Sequence, residues 1–140
     1  MHDLRTYDYA IVRVVPRVER GEFVNVGIIL SCDIERTLLA RIEVDERALL
    51  ALHSGVDIEL VRGALASIPA ICAGAEDAGP IAKLSARERF HWLVSPRSTI
   101  VQTSPVHSGQ CSDLQTALEH LMNRMIRRSS FRGVPATTAP

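Results

Sequence analysis

The sequence predicts a single α+β domain: an antiparallel sheet of about four strands, in the order β-β-β-α-α-α-β-α, with helices packed on one face. Three observations predict it. Residues 7–44 contain three consecutive runs rich in β-branched and aromatic residues. Apolar spacing of the helical kind begins only after residue 45. A chain of 140 residues suits one domain with a real core. The domain is expected to span 1–130, with 131–140 a disordered tail.

Residues 7–15 form the first strand, closed by Pro16; both its faces are largely apolar, which places it inside the sheet. Residues 23–32 form the second. Simple alternation gives it an apolar face of Val24, Val26, Ile28, Leu30 and Cys32 and a mixed face of Phe23, Asn25, Gly27, Ile29 and Ser31. The third strand, 37–44, turns Leu38, Ala40, Ile42 and Val44 to one side, and residues 33–36 join it to the second as a short hairpin.

Asp45 is placed to cap a helix over 46–53, stopped by Gly55. Asp57 caps a second helix, with Ile58, Val61, Leu65 and Ile68 on one face and Pro69 as its end. Residues 73–84 read as a flexible surface loop. Ser85 and Glu88 make a capping box for a helix carrying Phe90, Trp92 and Leu93, with Trp92 expected to anchor the core. Residues 98–103 read as a fourth strand and 104–111 as a loop. In the last helix, Ser112 and Gln115 form the expected cap. Its apolar stripe is Leu114, Leu118, Leu121, Met122 and Met125, and Arg124, Arg127 and Arg128 load the final turns.

Composition excludes several classes. Sixteen basic residues balance sixteen acidic ones, which argues against a general affinity for nucleic acid or membranes. No apolar run is long enough to span a bilayer, and the first residues lack a signal-peptide pattern, so a cytoplasmic protein is expected. Three scattered cysteines, none in a CxxC, argue against a disulfide framework and a zinc site; no metal or cofactor is expected.

Two polar stretches are candidate sites. The linker 16–22 packs Arg17, Glu19, Arg20 and Glu22 around Gly21. It is either a solvated loop of surface ion pairs or a recognition loop with Arg17 and Arg20 as anion-binding forks. Asn25 and Gly27, poor strand formers, follow it and mark a bulge or a close approach. The second stretch, 104–111, gathers His107, Cys111 and several hydroxyl or amide groups between a strand end and a helix start.

At YDYAIVRVVPRVERGEFVNVGIIL, and again at FHWLVSPRSTIVQTSPVHSG, the chain resembles a bacterial family catalogued only as a domain of unknown function, number 3037. The polar pattern matches at Arg17, Glu19, Glu22, Asn25 and Gly27, and at Pro96, Arg97, Ser98, Gln102, Pro105, His107 and Gly109. The resemblance implies a single α+β domain. Its members are often encoded beside a HipA-like kinase, which implies that kinase as a partner.

Two functions follow from these readings. The first is a non-catalytic accessory module that binds a protein, with Arg17, Arg20, Asn25, Arg97 and Gln102 as binding residues and a second copy of the chain as an alternative partner. The second is a small hydrolase or phosphotransfer-type enzyme. In it Glu19, Glu22 or His107 serves as base and Ser98 or water as nucleophile, which requires His107 within roughly 12 Å of Arg17 and Glu19. A third, weaker reading is nucleic-acid contact through Arg124 to Arg132.

Overall fold

In a computed structural model, which describes residues 3–127, the sheet forms first in the chain and the helices then close over it. The strands are β1 (Arg5–Val14), β2 (Val24–Cys32), β3 (Thr37–Ile42), β4 (Val101–Thr103) and β5 (His107–Cys111). The helices among the described residues are α1 (Glu46–Leu52), α2 (Ile58–Ala73), α3 (Ala86–Leu93) and α4 (Leu114–Met125). The order across the sheet is β3-β2-β1-β4, with β5 also on β1, and every pairing is antiparallel. The single α+β class is as expected, with one strand more. The tail 131–140, with Arg128 and Arg132, lies outside the described residues.

Both faces of the sheet are covered, and a bulge in β2 is the reason. Val12 pairs with Gly27 while Arg13 pairs with Asn25, so Val26 is an extra residue without a partner across the ladder. The bulge shifts the alternation by one. Val24 and Val26 therefore join Val12, Val14 and Ile29 under α1–α3, whereas Ile28, Leu30 and Cys32 turn to the opposite side. The continuous apolar face expected of this strand is divided between two cores. Helices α1–α3 take one face through Leu49, Val61, Leu65, Ile68, Phe90 and Leu93. Helix α4 takes the other, laying Leu118, Leu121 and Met122 on Tyr7, Ile28 and Leu30.

The helix starts follow their caps. Asp45 accepts from Ala48 N (3.0 Å), Asp57 from Leu60 N (3.1 Å), and Ser85 and Glu88 form the reciprocal box. In α4 the cap is Asp113 rather than Ser112; its carboxylate accepts from Thr116 N and Oγ1 (2.8 and 2.6 Å). Helix α2 runs through Pro69 instead of ending there, and Gly74 closes it in the left-handed conformation, φ 68°. An interior proline costs about 3 kcal/mol. Beyond it the helix buries Ile71 and Cys72, and a fully buried aliphatic side chain returns about 1.5–3 kcal/mol. Residues 73–84, expected as a flexible loop, include two short 3-10 turns, Glu76–Ala78 and Pro80–Lys83, with Ala82 buried.

Candidate functional site

With both faces occupied, the sheet is open to strand pairing only along its edges, β3 on one side and β4–β5 on the other. Strands β4 and β5 lie end to end along β1, from Val14↔Val101 to Arg5↔Cys111. Ser104 splices them: its N–H donates to Ile11 O and its Oγ accepts from Ile11 N, both at 2.8 Å. Residues 107–111, expected as part of a loop, are thus a strand. Among the described residues no strand pairs the outer side of β4 or β5. Neither strand carries a charged side chain of the Lys, Arg, Asp or Glu type, the usual guard against edge pairing. The ring of His107 lies 5.5 Å from that of Tyr9, Ser108 Oγ donates to Asp8 at 2.7 Å, and Gly109 leaves room for Tyr7, whose hydroxyl sits 2.6 Å from where a Cβ would be.

Beside β4 the surface opens into a cavity of about 270 Å³ between α2, the end of α3 and the edge, lined by Ala64, Ile68, Trp92, Leu93, Arg97 and Val101 among others. Trp92, expected in the core, is instead 41% exposed and forms a wall of this groove. Its place on α3 explains this: Phe90 and Leu93 take the buried side of the helix. The Arg97 guanidinium stacks 4.4 Å from the Trp92 ring and donates to the carbonyls of Trp92 (2.7 Å) and Leu93 (2.9 Å). It thereby satisfies carbonyls left open at the end of α3, and among the described residues it has no carboxylate partner. Gln102 also lines the groove and donates from its amide to Thr99 O at 2.9 Å. Ser98 is exposed nearby and its hydroxyl has no hydrogen-bond partner among the described residues.

The charged loop forms only local pairs. Arg17 donates to Glu19 (2.9 Å) and Arg20 to Glu22 (2.7 Å), all four side chains exposed. A backbone N–H and Arg17 hold the Glu19 carboxyl below its ordinary range, and Arg20 does the same for Glu22. The loop does not meet His107. That residue pairs with Tyr9, and β1 runs on to Val14 before the loop begins, a strand length of roughly 17 Å at about 3.3 Å per residue. The segment of Ser98 does run beside the loop's start, since Val15 N donates to Ile100 O at 2.7 Å.

Asn25 belongs to neither group. Its amide donates to Met125 O at the end of α4 (3.3 Å), so it docks that helix. Across the ladder from it, the Arg13 guanidinium lies 4.1 Å from the Phe23 ring. Arg13 Nε and Asn25 Oδ1 are buried without hydrogen-bond partners among the described residues. Of the expected site residues, then, Arg97, Ser98, Gln102 and His107 lie along one edge. Arg17, Glu19, Arg20 and Glu22 stand at its far end, and Asn25 lies under α4. Trp92 was the residue the sequence concealed as a site; its signal is the Pro96-Arg97 pair just after it, which supplies a cation to stack on an aromatic ring.

Among the described residues no group of three or more His, Cys, Asp or Glu side chains is arranged to hold a metal ion, and no helix is long and apolar enough to cross a membrane. The fold and edge define a small α+β domain with both sheet faces roofed and one uncharged sheet edge beside an apolar groove. The chain belongs to the family described as "Protein of unknown function (DUF3037)", whose model matches residues 9–126. No curated protein and no solved structure matches it.

Proposed function

We propose that this protein is a non-catalytic binding module that captures an extended segment of a partner protein along the β4–β5 edge. The observation that carries this reading is the pairing of an unguarded strand edge with the Trp92 groove beside it. Main-chain hydrogen bonds to an added strand supply affinity, and the groove selects one apolar side chain of that strand. Arg97, without a carboxylate of its own, favours an acidic residue next to that apolar one. The family resemblance nominates a HipA-like kinase as the partner.

The enzyme reading is less well supported. His107 stacks on Tyr9 far from Glu19 and Glu22, whose carboxyls lie low and are occupied by arginines, and Ser98 has no base beside it. To test the binding reading, the immobilised chain is offered a purified HipA-like kinase. Wild type should retain it in stoichiometric amount, Trp92→Ala and Arg97→Glu should lose it at least tenfold, and Arg20→Ala should bind as wild type. Equal retention by the Trp92 and Arg97 variants would remove the groove from the account. Failure of the wild type to retain the kinase would remove this partner.

A further inference from the structure

A second cavity, of about 440 Å³, lies at the other end of the sheet, where the β2–β3 hairpin meets the start of α3. Its lining includes Ser31, Asp33, Arg36, Ser85, Arg87 and Arg89. Three arginines thus stand against one carboxylate. Arg87 is shared between Asp8 (3.3 Å) and Asp33 (3.2 Å). Arg89 donates only to carbonyls, those of Ile71, Cys72 and Leu84, so no acid among the described residues neutralises it. The Arg36 side chain has no hydrogen-bond or carboxylate partner among the described residues, and its backbone N–H donates to Asp33 O at 3.0 Å. It also occupies a left-handed turn position, φ 51°, where glycine would be easier and an arginine side chain is otherwise a cost.

Ser31 supplies a donor on the cavity wall. It is only 3% exposed, lines this cavity, and its hydroxyl has no hydrogen-bond partner among the described residues. The hydroxyl opens onto the cavity and is free to donate to a polar group that enters it. The start of α3 adds backbone N–H groups to the same space, with the Glu88 carboxylate of the capping box bonded to Ser85 beside them.

We propose that this cavity binds the phosphate group of a small phosphorylated molecule. Arg36 and Arg87 would grip it, Ser31 would donate from the cavity wall, and Arg89 would add positive charge from a fixed position. A tetrahedral dianion uses this many converging donors better than a carboxylate does, and the volume suits a small ligand. The site shares no lining residue with the Trp92 groove, and although Asp8 joins Arg87 to Ser108 of β5, either reading can fail alone.

The test is titration of the full chain with inorganic phosphate, followed by amide NMR, with acetate at equal ionic strength as the control. Phosphate should shift amides of residues 31–36 and 85–89 and saturate, whereas acetate should not. Arg36→Gly should weaken binding at least tenfold while leaving the melting temperature equal or higher, because glycine relieves the left-handed turn. Ser31→Ala should weaken it severalfold, and Arg20→Gly, the same charge change in the distant loop, should leave it unaltered. Non-saturating shifts, an equal response to acetate, or unchanged binding by Arg36→Gly would overturn the proposal. If a phosphoserine peptide saturates the site while inorganic phosphate and small phosphomonoesters do not, the small-molecule assignment is overturned.

Discussion

Replacing Gly27 with alanine tests the close packing of β3 against β2. A Cβ at this position would lie 2.5 Å from the backbone oxygen of Arg41 and 2.5 Å from Ile42 Cδ1 on the neighbouring strand. The carbonyl cannot swing aside as a side chain can, so β2 and β3 must part. Overpacking of this kind costs roughly 1–3 kcal/mol, and the backbone obstacle puts Gly27→Ala at the upper end, about 2–3 kcal/mol. For a domain of this size that lowers the melting temperature by about 5–10 °C. Gly63 is the matched control. It sits exposed within α2 with nothing within 4 Å of an added Cβ, so Gly63→Ala should stabilise by about 0.5–1 kcal/mol. Urea denaturation of both variants, with unchanged slope, measures the two effects. A Gly27→Ala protein within about 0.5 kcal/mol of wild type would refute the close approach of β3 to β2.

Three further outcomes follow. Leu118→Ala should cost about 3–4 kcal/mol in urea denaturation, because Leu118 is 2% exposed between α4 and the sheet; a loss under 1 kcal/mol would mean that α4 does not roof this face. Arg127 bonds both Glu43 and Glu119 and holds their carboxyls below the ordinary value of 4.5; the stabilisation is present at neutral pH and is lost as pH falls through the carboxylate range. Arg127→Ala should therefore lower the melting temperature at pH 7 and change it little at pH 3, and an equal loss at both would contradict this. Burial pushes the Cys72 thiol up to about 12 and raises that of Cys111, and Cys32 is closed off inside the core, so a thiol reagent at pH 8 should label the three free cysteines far more slowly in the native chain than in urea.

Local signals in the sequence held for three of the four helix starts, and in α4 the cap is Asp113 where Ser112 was expected. Asp45, Asp57 and Ser85 each cap the helix expected of them. Long-range effects were not legible. Val24 to Cys32 alternates except at Ile29, and only the pairing with β1 reveals that Val26 is an inserted residue. Pro69 reads as a stop because the burial of Ile71 and Cys72 beyond it depends on the sheet below. His107 to Cys111 is polar and glycine-containing, a loop by composition, and becomes a strand because β1 offers it an open side. The candidate edge was half visible, since Arg97, Ser98, Gln102 and His107 stand out as polar residues. The cavity around Ser31 was not, because Ser31, Arg36 and Arg87 come from separate elements.

Hydrogen exchange of the chain, free and bound to the kinase, tests the central claim most directly. Slowing confined to the amides of 101–103 and 107–111, together with a change in the fluorescence of Trp92, the sole tryptophan, is the predicted result. A complex in which those amides and Trp92 are unaltered, with protection falling on α1 or α4 instead, would contradict it.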